Sequence, residues 1–329
     1  MNGKNGAVSA RQGAKLSSCW CGETAGTDSR HPAYVVCPAC GTARLRDVAA
    51  RGQGVVNGET GIYSADYWGR HQEEDLGLPS IEERAVNDLP ERCMHWLSLL
   101  LHHVLPPACV LDIGCGHGGF VKLCKMAGFQ STGIEMAEEI VRFAQDAFGV
   151  EVKRGPLAEL DLHFGAQHLG VCMFDVLEHL PDPLAQVQDL LQRGTGRVTL
   201  IVQTPEFTDS MSDSMFAVPE HINLFTRRAV SEMLGRAGFA HVEFAESCFQ
   251  DDVTAVASNM PIRQNTEAAV AEALLATGDG RVLNATRTLA ARLGQVKARN
   301  HLIEDGDGLG ISWSFRQLLR GLRRRLFPH

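Results

Sequence analysis

The run Val110-Leu111-Asp112-Ile113-Gly114-Cys115-Gly116-His117-Gly118-Gly119-Phe120 carries an apolar strand onto a carboxylate and straight into a glycine-rich turn. Glycines at 114, 116 and 119 let backbone approach a ligand at a helix N-terminus, as in nucleotide cofactor loops. The same spacing satisfies the dinucleotide fingerprint, so the glycines alone do not choose the ligand. Asp112 separates the two: a carboxylate at the mouth of the loop repels a pyrophosphate and suits a ligand bearing an ammonium and a sulfonium. These residues favour S-adenosylmethionine over NAD.

Other reactive side chains follow at matching intervals. Ser131-Thr132-Gly133-Ile134-Glu135 reads as a second strand whose terminal acid can accept both ribose hydroxyls, with Met136 beside it. Gly170 to Leu177 reads as a fourth strand that brings Asp175 and Leu177 to the sheet edge and runs into Glu178-His179-Leu180-Pro181-Asp182-Pro183. In open α/β sheets, ligands bind outside the carboxyl ends of the strands. A fifth strand, Arg197 to Gln203, leads into a long polar segment, Thr204 through Glu220-His221. Thr226 is placed to N-cap a helix from Arg227 to Arg236 that Gly238 closes.

In order, LDIGCGHGGF, GIE, FDVLEHLPDP and FTRRAVSEMLGRAGF resemble the class I S-adenosylmethionine-dependent methyltransferases over roughly residues 90 to 258. The resemblance implies a doubly wound, Rossmann-like, seven-stranded and mostly parallel sheet. It places Gly114, the backbone of Cys115 and Gly116 along the methionine part of the cofactor, Asp112 at the loop, and Glu135 with Met136 at the ribose. It puts Pro156 and Leu157 beside the adenine and Asp175 and Leu177 at the cofactor edge. Many relatives carry an acid where Pro156 stands, so contact to the adenine amino group passes to backbone here. The polar segment after the fifth strand is expected over the transferable methyl group. Methyl transfer from a sulfonium is an in-line displacement, where positioning is worth roughly 7 to 11 kcal/mol. A base that removes a proton from the acceptor adds about 10²- to 10⁴-fold. His221 is the first choice for that base and His179, next to Glu178, the second, with a bracing or cofactor-touching role as the alternative for His179. Glu220 is expected to orient His221 or raise its pKa, and the following helix N-terminus to favour neutral imidazole.

Four of the ten cysteines cluster as Cys19-x-Cys21 and Cys37-x2-Cys40. Two close pairs of thiols, with Gly22, Pro38 and Gly41 favouring tight turns, suit a tetrahedral structural Zn2+. Four thiolates leave no open position for chemistry. The remaining cysteines read as core. Tyr63-Ser64-Ala65-Asp66-Tyr67-Trp68 concentrates aromatics that could cover the cofactor, Tyr67 foremost, or simply pack the first helix on the sheet. A cysteine-rich N-terminal module, a YSxDY-like segment and Glu220-His221-Ile222-Asn223-Leu224-Phe225 resemble the zinc-containing sugar C-methyltransferases, which implies a sugar-like acceptor.

With 329 residues, 44% of them hydrophobic, the chain holds a full catalytic domain plus attachments. The expected division is a zinc ribbon at 1–50, an aromatic linker and lid at 51–90, the methyltransferase domain at 91–260 and a helical C-terminal appendage with a basic tail at 261–329. A seventh strand is expected at Val253 to Ser258, and helix over 262–303 broken near Thr277-Gly278. No long apolar run or signal peptide is evident, so a cytoplasmic protein is expected. A net charge of −8 argues against extended nucleic-acid binding. The basic amphipathic tail Ser314 to Phe327 raises a peripheral membrane contact, with packing on protein the simpler role. The partner that remains is a small-molecule or glycan substrate. RNA base methylation and a non-catalytic cofactor-binding module are the alternatives. Oligomeric state is not legible.

Overall fold

Apolar, β-branched runs that alternate with amphipathic helices can bury both faces of a sheet only as a layered α/β fold. That is the architecture of this computed structural model, which describes residues 18–46, 79–218, 220–282 and 284. The N-terminal module holds β1 (Thr27–Asp28), β2 (Tyr34–Val36) and β3 (Ala43–Leu45). Helix α1 (Ile81–Asp88) passes through a single π-helical turn, Leu89–Cys93, into α2 (Met94–His103). The alternating part then runs β4 (Cys109–Ile113), α3 (Gly119–Met126), β5 (Gln130–Glu135), α4 (Glu138–Phe148), β6 (Val152–Arg154), β7 (Leu169–Phe174), α5 (Pro183–Gln192) and β8 (Val198–Pro205). It closes with β9 (Asn223–Leu224), α6 (Arg227–Ala237), β10 (His241–Ala245), β11 (Asp252–Ser258) and α7 (Glu267–Thr277).

The large sheet has the order β10-β11-β8-β7-β4-β5-β6, with only β11 antiparallel to its neighbours. The chain winds outward from β4 to β6 and then crosses back to β7, so the switch point lies between β4 and β7, where a ligand crevice opens at the carboxyl ends. Every residue of β7 and β8 is buried, as central strands covered on both faces must be. One face packs Leu111, Ile113, Val171, Met173 and Leu200 against the α5 and α6 side. The other packs Val110, Cys172, Ile201 and Val256 against α2, α3 and Leu274 of α7. Among the described residues no helix is long and apolar enough to cross a membrane.

Local differences from the sequence reading have local causes. The strand expected to reach Leu177 stops at Phe174, because Asp175 takes a left-handed φ of 57° and Leu177–His179 turn as a 3-10 helix. β8 instead runs on to Pro205, held by antiparallel pairing in which Asp252 faces Pro205. Thr226 caps α6 through the Ala229 N–H at 3.1 Å, and Gly238 ends it at a φ of 110°. The C-terminal helix ends at Thr277, just before Gly278. The N-terminal module departs most from its expected boundary at 50. Its small sheet, β1-β2-β3-β9, takes the fourth strand from beyond β8: Ala43 lies opposite Leu224 and Arg44 opposite Asn223. Tyr63, Tyr67 and Trp68, the part 51–78 of the linker and lid expected at 51–90, and the basic tail fall outside the described residues, while 81–88 of that expected lid is helix α1.

Candidate functional site

The glycine-rich turn between β4 and α3 stands at the switch point. Gly114, Gly116 and Gly118 all have positive φ, at 70°, 48° and 79°. They serve different purposes. A Cβ on Gly114 would lie 2.5 Å from Val176 Cγ2, so this glycine allows close packing with the loop after β7, whereas a Cβ on Gly116 would meet nothing within 4 Å. Open space beside this backbone leaves room for a ligand to approach it. Glu135, at the end of β5, faces this turn. Its Oε2 accepts the Gly116 N–H at 3.1 Å and its Oε1 accepts the N–H groups of Met136 at 2.7 Å and Ala137 at 3.1 Å. Burial still pushes its carboxyl up against these three donors.

Asp112 is only 4% exposed and lies on the Val110 face of β4. Burial, and secondarily the Glu135 carboxylate, push its pKa well above the usual carboxylate range. A buried carboxyl beside an open cradle fits a cationic ligand, which would draw it toward the ionised form. Cys115 contributes through its backbone, whose N–H donates to the Ile134 carbonyl at 3.0 Å, while its sulfur packs with Val121 and Val141. The S-adenosylmethionine expectation therefore fits the residues present.

Two arginines, Arg193 buried and Arg92 half-buried, organise the surroundings. The Arg193 guanidinium, one residue past α5, donates to the carbonyls of Leu157 at 2.8 Å, Leu160 at 2.7 Å and Leu162 at 3.3 Å and pairs with Asp189 at 2.8 Å. It thereby fixes the Pro156-Leu157 segment expected at the adenine. Arg92, in the π-helical turn, pairs with Asp175 at 2.9 Å. The Gln203 amide then bridges Asp175 at 3.3 Å and Asp252 at 2.9 Å, and Trp96 donates to Gln203 Oε1 at 2.9 Å. Neither arginine stands out in the sequence; a single Arg in a helical stretch gives no spacing signal. The π-helical turn and the left-handed Asp175 are the kind of irregularity that concentrates at functional sites.

Glu178, His179 and His221 come together beyond this network. Glu178 is 1% exposed and accepts from the Thr204 hydroxyl at 2.8 Å, and burial followed by the Asp175 charge pushes its pKa well up. His179 Nδ1 faces the Glu220 carbonyl at 3.0 Å and His221 Nδ1 faces the Met215 carbonyl at 2.7 Å. A carbonyl can only accept, so both Nδ1 atoms carry protons and each neutral ring keeps its lone pair on Nε2. The ring centroids are 4.9 Å apart. The Met215 carbonyl thus orients His221, and Glu220 contributes its main-chain carbonyl to His179. Glu178, His179 and His221 also offer ligand atoms within 4.8 Å of one another, so the cluster can take up a proton or hold a divalent cation.

At the N-terminal module, Cys19 and Cys40 sulfurs are 3.6 Å apart, as are those of Cys21 and Cys37, and all four lie within 4.8 Å. Tetrahedral zinc thiolates lie about 3.8 Å apart, given Zn–S bonds of about 2.3 Å. The contact between the two sulfurs draws the Cys40 thiol down to about 5 and pushes Cys19 up. The four residues form a fitting zinc site.

Residues 85–243 match the family described as Methyltransferase domain. The ubiquinone biosynthesis O-methyltransferase of Bordetella parapertussis is 34% identical over 84 residues, covering 24% of this chain and 35% of that protein. Its counterpart from Xanthomonas campestris is 31% identical over 112 residues, covering 31% and 47%. The chain spans about a third to a half of the length of these curated relatives. Among solved structures, a SAM-dependent methyltransferase from Archaeoglobus fulgidus is 20% identical with a TM-score of 0.43, covering 54% of this chain and 98% of that one. Magnesium protoporphyrin IX methyltransferase from Synechocystis, solved with bound SAH, is 19% identical with a TM-score of 0.42, covering 58% and 92%.

Proposed function

We propose that this chain, whose residues 85–243 are a methyltransferase domain of the class I S-adenosylmethionine-dependent kind, transfers a methyl group to a small molecule with His221 as the general base. The acceptor class is a sugar, nucleotide-linked sugar or glycan, on the strength of the Glu220-His221-x3-Phe225 segment and the cysteine module. Acceptors of ubiquinone biosynthesis, the role named for the curated relatives, are the competing class.

The observation that carries this reading is the pair of imidazoles locked by main-chain carbonyls in the tautomer a base requires, past the carboxyl end of β7, the strand next to the one that leads into the Gly116 turn. The cofactor, when bound, supplies an electrophilic methyl group on a sulfonium. Gly116 gives it room while Gly114 keeps the turn packed on Val176, Glu135 accepts its ribose hydroxyls, and Arg193 steadies the adenine-side segment. Asp175 and Leu177 edge the cofactor as they turn out of β7. His221 Nε2 takes the acceptor proton while the Met215 carbonyl holds the ring. His179, beside the buried Glu178, braces the wall that faces it. Cys19, Cys21, Cys37 and Cys40 bind one structural zinc that stabilises the N-terminal module.

The test is transfer of a labelled methyl group from S-adenosylmethionine to a panel holding both acceptor classes, then location of the new methyl. His221→Ala should cut turnover on the order of 10²-fold or more with S-adenosylhomocysteine affinity unchanged. His179→Ala should instead change cofactor binding or stability. Wild-type turnover in His221→Ala across pH 6 to 9, with chemistry rate-limiting, refutes the base. Binding of NAD without S-adenosylhomocysteine refutes the cofactor. The close approach of Glu178, His179 and His221 favours one second reading, a cation-assisted deprotonation; it requires activity to vanish with chelator under conditions that leave the cysteine-bound zinc in place.

A further inference from the structure

Granting His221 as the base, its position requires an explanation, because the segment that carries it, from Glu206 to Phe225, is mostly irregular. Its own sequence provides little to hold an imidazole in one place. The cysteine module provides the rest from two sides.

Backbone on the C-terminal side of His221 is built into the module's sheet. The Leu45 N–H donates to the Ile222 carbonyl at 2.8 Å, and Asn223 and Leu224 then form β9 against β3. The Tyr34 side chain, fully buried in β2, donates its hydroxyl to the His221 carbonyl itself at 2.6 Å. On the other side, Phe216 is gripped by three module residues. His31 stacks on it at 4.7 Å and 20°, Tyr34 meets it edge-on at 5.2 Å, and the Arg30 guanidinium lies 4.8 Å from its centroid. Arg30 also donates to the Met211 carbonyl and pairs with Asp213 at 2.7 Å. The residue before Phe216 is Met215, whose carbonyl takes the His221 Nδ1 proton. The module therefore holds both the main chain of the base and the acceptor that fixes its tautomer.

We propose that Tyr34 and His31 of the cysteine module are positioning residues for His221, so that the module orders the active-site base as well as itself. The link to the cysteines is short. Cys37 follows Tyr34 by three residues, and the turn from Cys37 to Thr42, closed by Cys37 N–H to the Thr42 carbonyl at 2.9 Å and Gly41 N–H to the Cys37 carbonyl at 2.9 Å, sets the register of β2 on β3. The turn is also fastened to α6 through Arg228 to the Ala39 carbonyl at 2.7 Å, and the first cysteine pair through Arg236 to the Cys21 carbonyl at 3.0 Å.

The test needs no acceptor: nitrogen NMR of histidine rings in the full chain saturated with S-adenosylhomocysteine. Wild-type His221, when neutral, should carry its proton on Nδ1. Tyr34→Phe keeps the ring and removes only the hydroxyl, and His31→Ala removes the stack on Phe216. Each should shift the His221 tautomer ratio toward Nε2–H by about fivefold, the equivalent of one ordinary hydrogen bond. His117, whose Nδ1 accepts the Gly119 N–H at 3.0 Å, serves as the reference that stays put. With an acceptor in hand, Tyr34→Phe should lower kcat in wild type and add nothing in a His221→Ala background. An unmoved His221 signal in both variants, with His31→Ala and Tyr34→Phe folded and loaded with metal, overturns the proposal. If His221→Ala proves fully active while the tautomer shift is seen, the base assignment fails and the positioning stands.

Discussion

Asp252 stores a pH-dependent cost that a single substitution should release. The carboxyl is 7% exposed in β11, where burial first, and the nearby Asp175 charge second, raise its pKa from 3.8 to about 7 against the pull of Arg92. A raised pKa means that the folded state holds the proton more tightly than the unfolded chain. Its contribution to stability is therefore complete below about pH 4 and is lost as pH climbs through about 7. Three pKa units at about 1.4 kcal/mol each set the loss near 4 kcal/mol by pH 8. Asp252→Asn removes the ionisation and leaves an oxygen to accept the Gln203 amide. Urea unfolding of wild type and Asp252→Asn at intervals from pH 4 to 8 should show nearly equal stability at pH 4. The variant should then gain, reaching an advantage of about 4 kcal/mol at pH 8. Titrations shared by both proteins cancel in the difference. A gap that stays constant with pH, or that narrows as pH rises, would falsify the view that Asp252 is forced to hold a proton by its surroundings.

Gly116→Val should fill the open cradle and reduce S-adenosylhomocysteine binding about 10²-fold or more in calorimetry, with a backbone-strain cost of about 1–3 kcal/mol for a β-branched residue at this positive φ. Gly114→Ala should instead destabilise by about 1–3 kcal/mol through strain and contact with Val176. Arg193→Met leaves three main-chain carbonyls without their donor, so stability should fall by about 2–4 kcal/mol and cofactor affinity with it; Arg193→Lys, lacking the planar fork, should not restore either. Elemental analysis of the purified chain should find about one zinc, and Cys37→Ser with Cys40→Ser should lose it together with thermal stability. Full stability at zero metal in the wild type would remove the zinc site.

The alternating core was legible because its signals are local. Val110 to Gly119, Gly133 to Glu135 and the Thr226 to Gly238 helix each announce themselves by strand pattern, glycine placement or cap. The cysteine cluster was legible from spacing, and His179 and His221 from their motifs. What the sequence hid depends on contacts between distant segments. Nothing in Asn223-Leu224 signals a strand of the N-terminal sheet, since two residues carry no period. The roles of Arg92 and Arg193 depend on which carbonyls and carboxylates the fold delivers to them. Main-chain carbonyls have no sequence signature at all, which is why the contact of His221 with Met215 could not be read ahead of the fold.

The pairing of Ala43 with Leu224 also bears on how the protein can be made. During synthesis the cysteine module emerges early with one sheet edge open, and the strand that covers it arrives roughly 180 residues later. Until then β3 presents unpaired donors and acceptors, the kind of edge that recruits other chains. Closing so long a loop costs little extra, since each doubling of length adds only about 0.6 kcal/mol, so the delay is kinetic rather than energetic. The smallest piece that could be moved into another protein is consequently not the first fifty residues. It is residues 18–46 together with the segment from Glu206 to Phe225, two stretches far apart in the gene that share one small sheet.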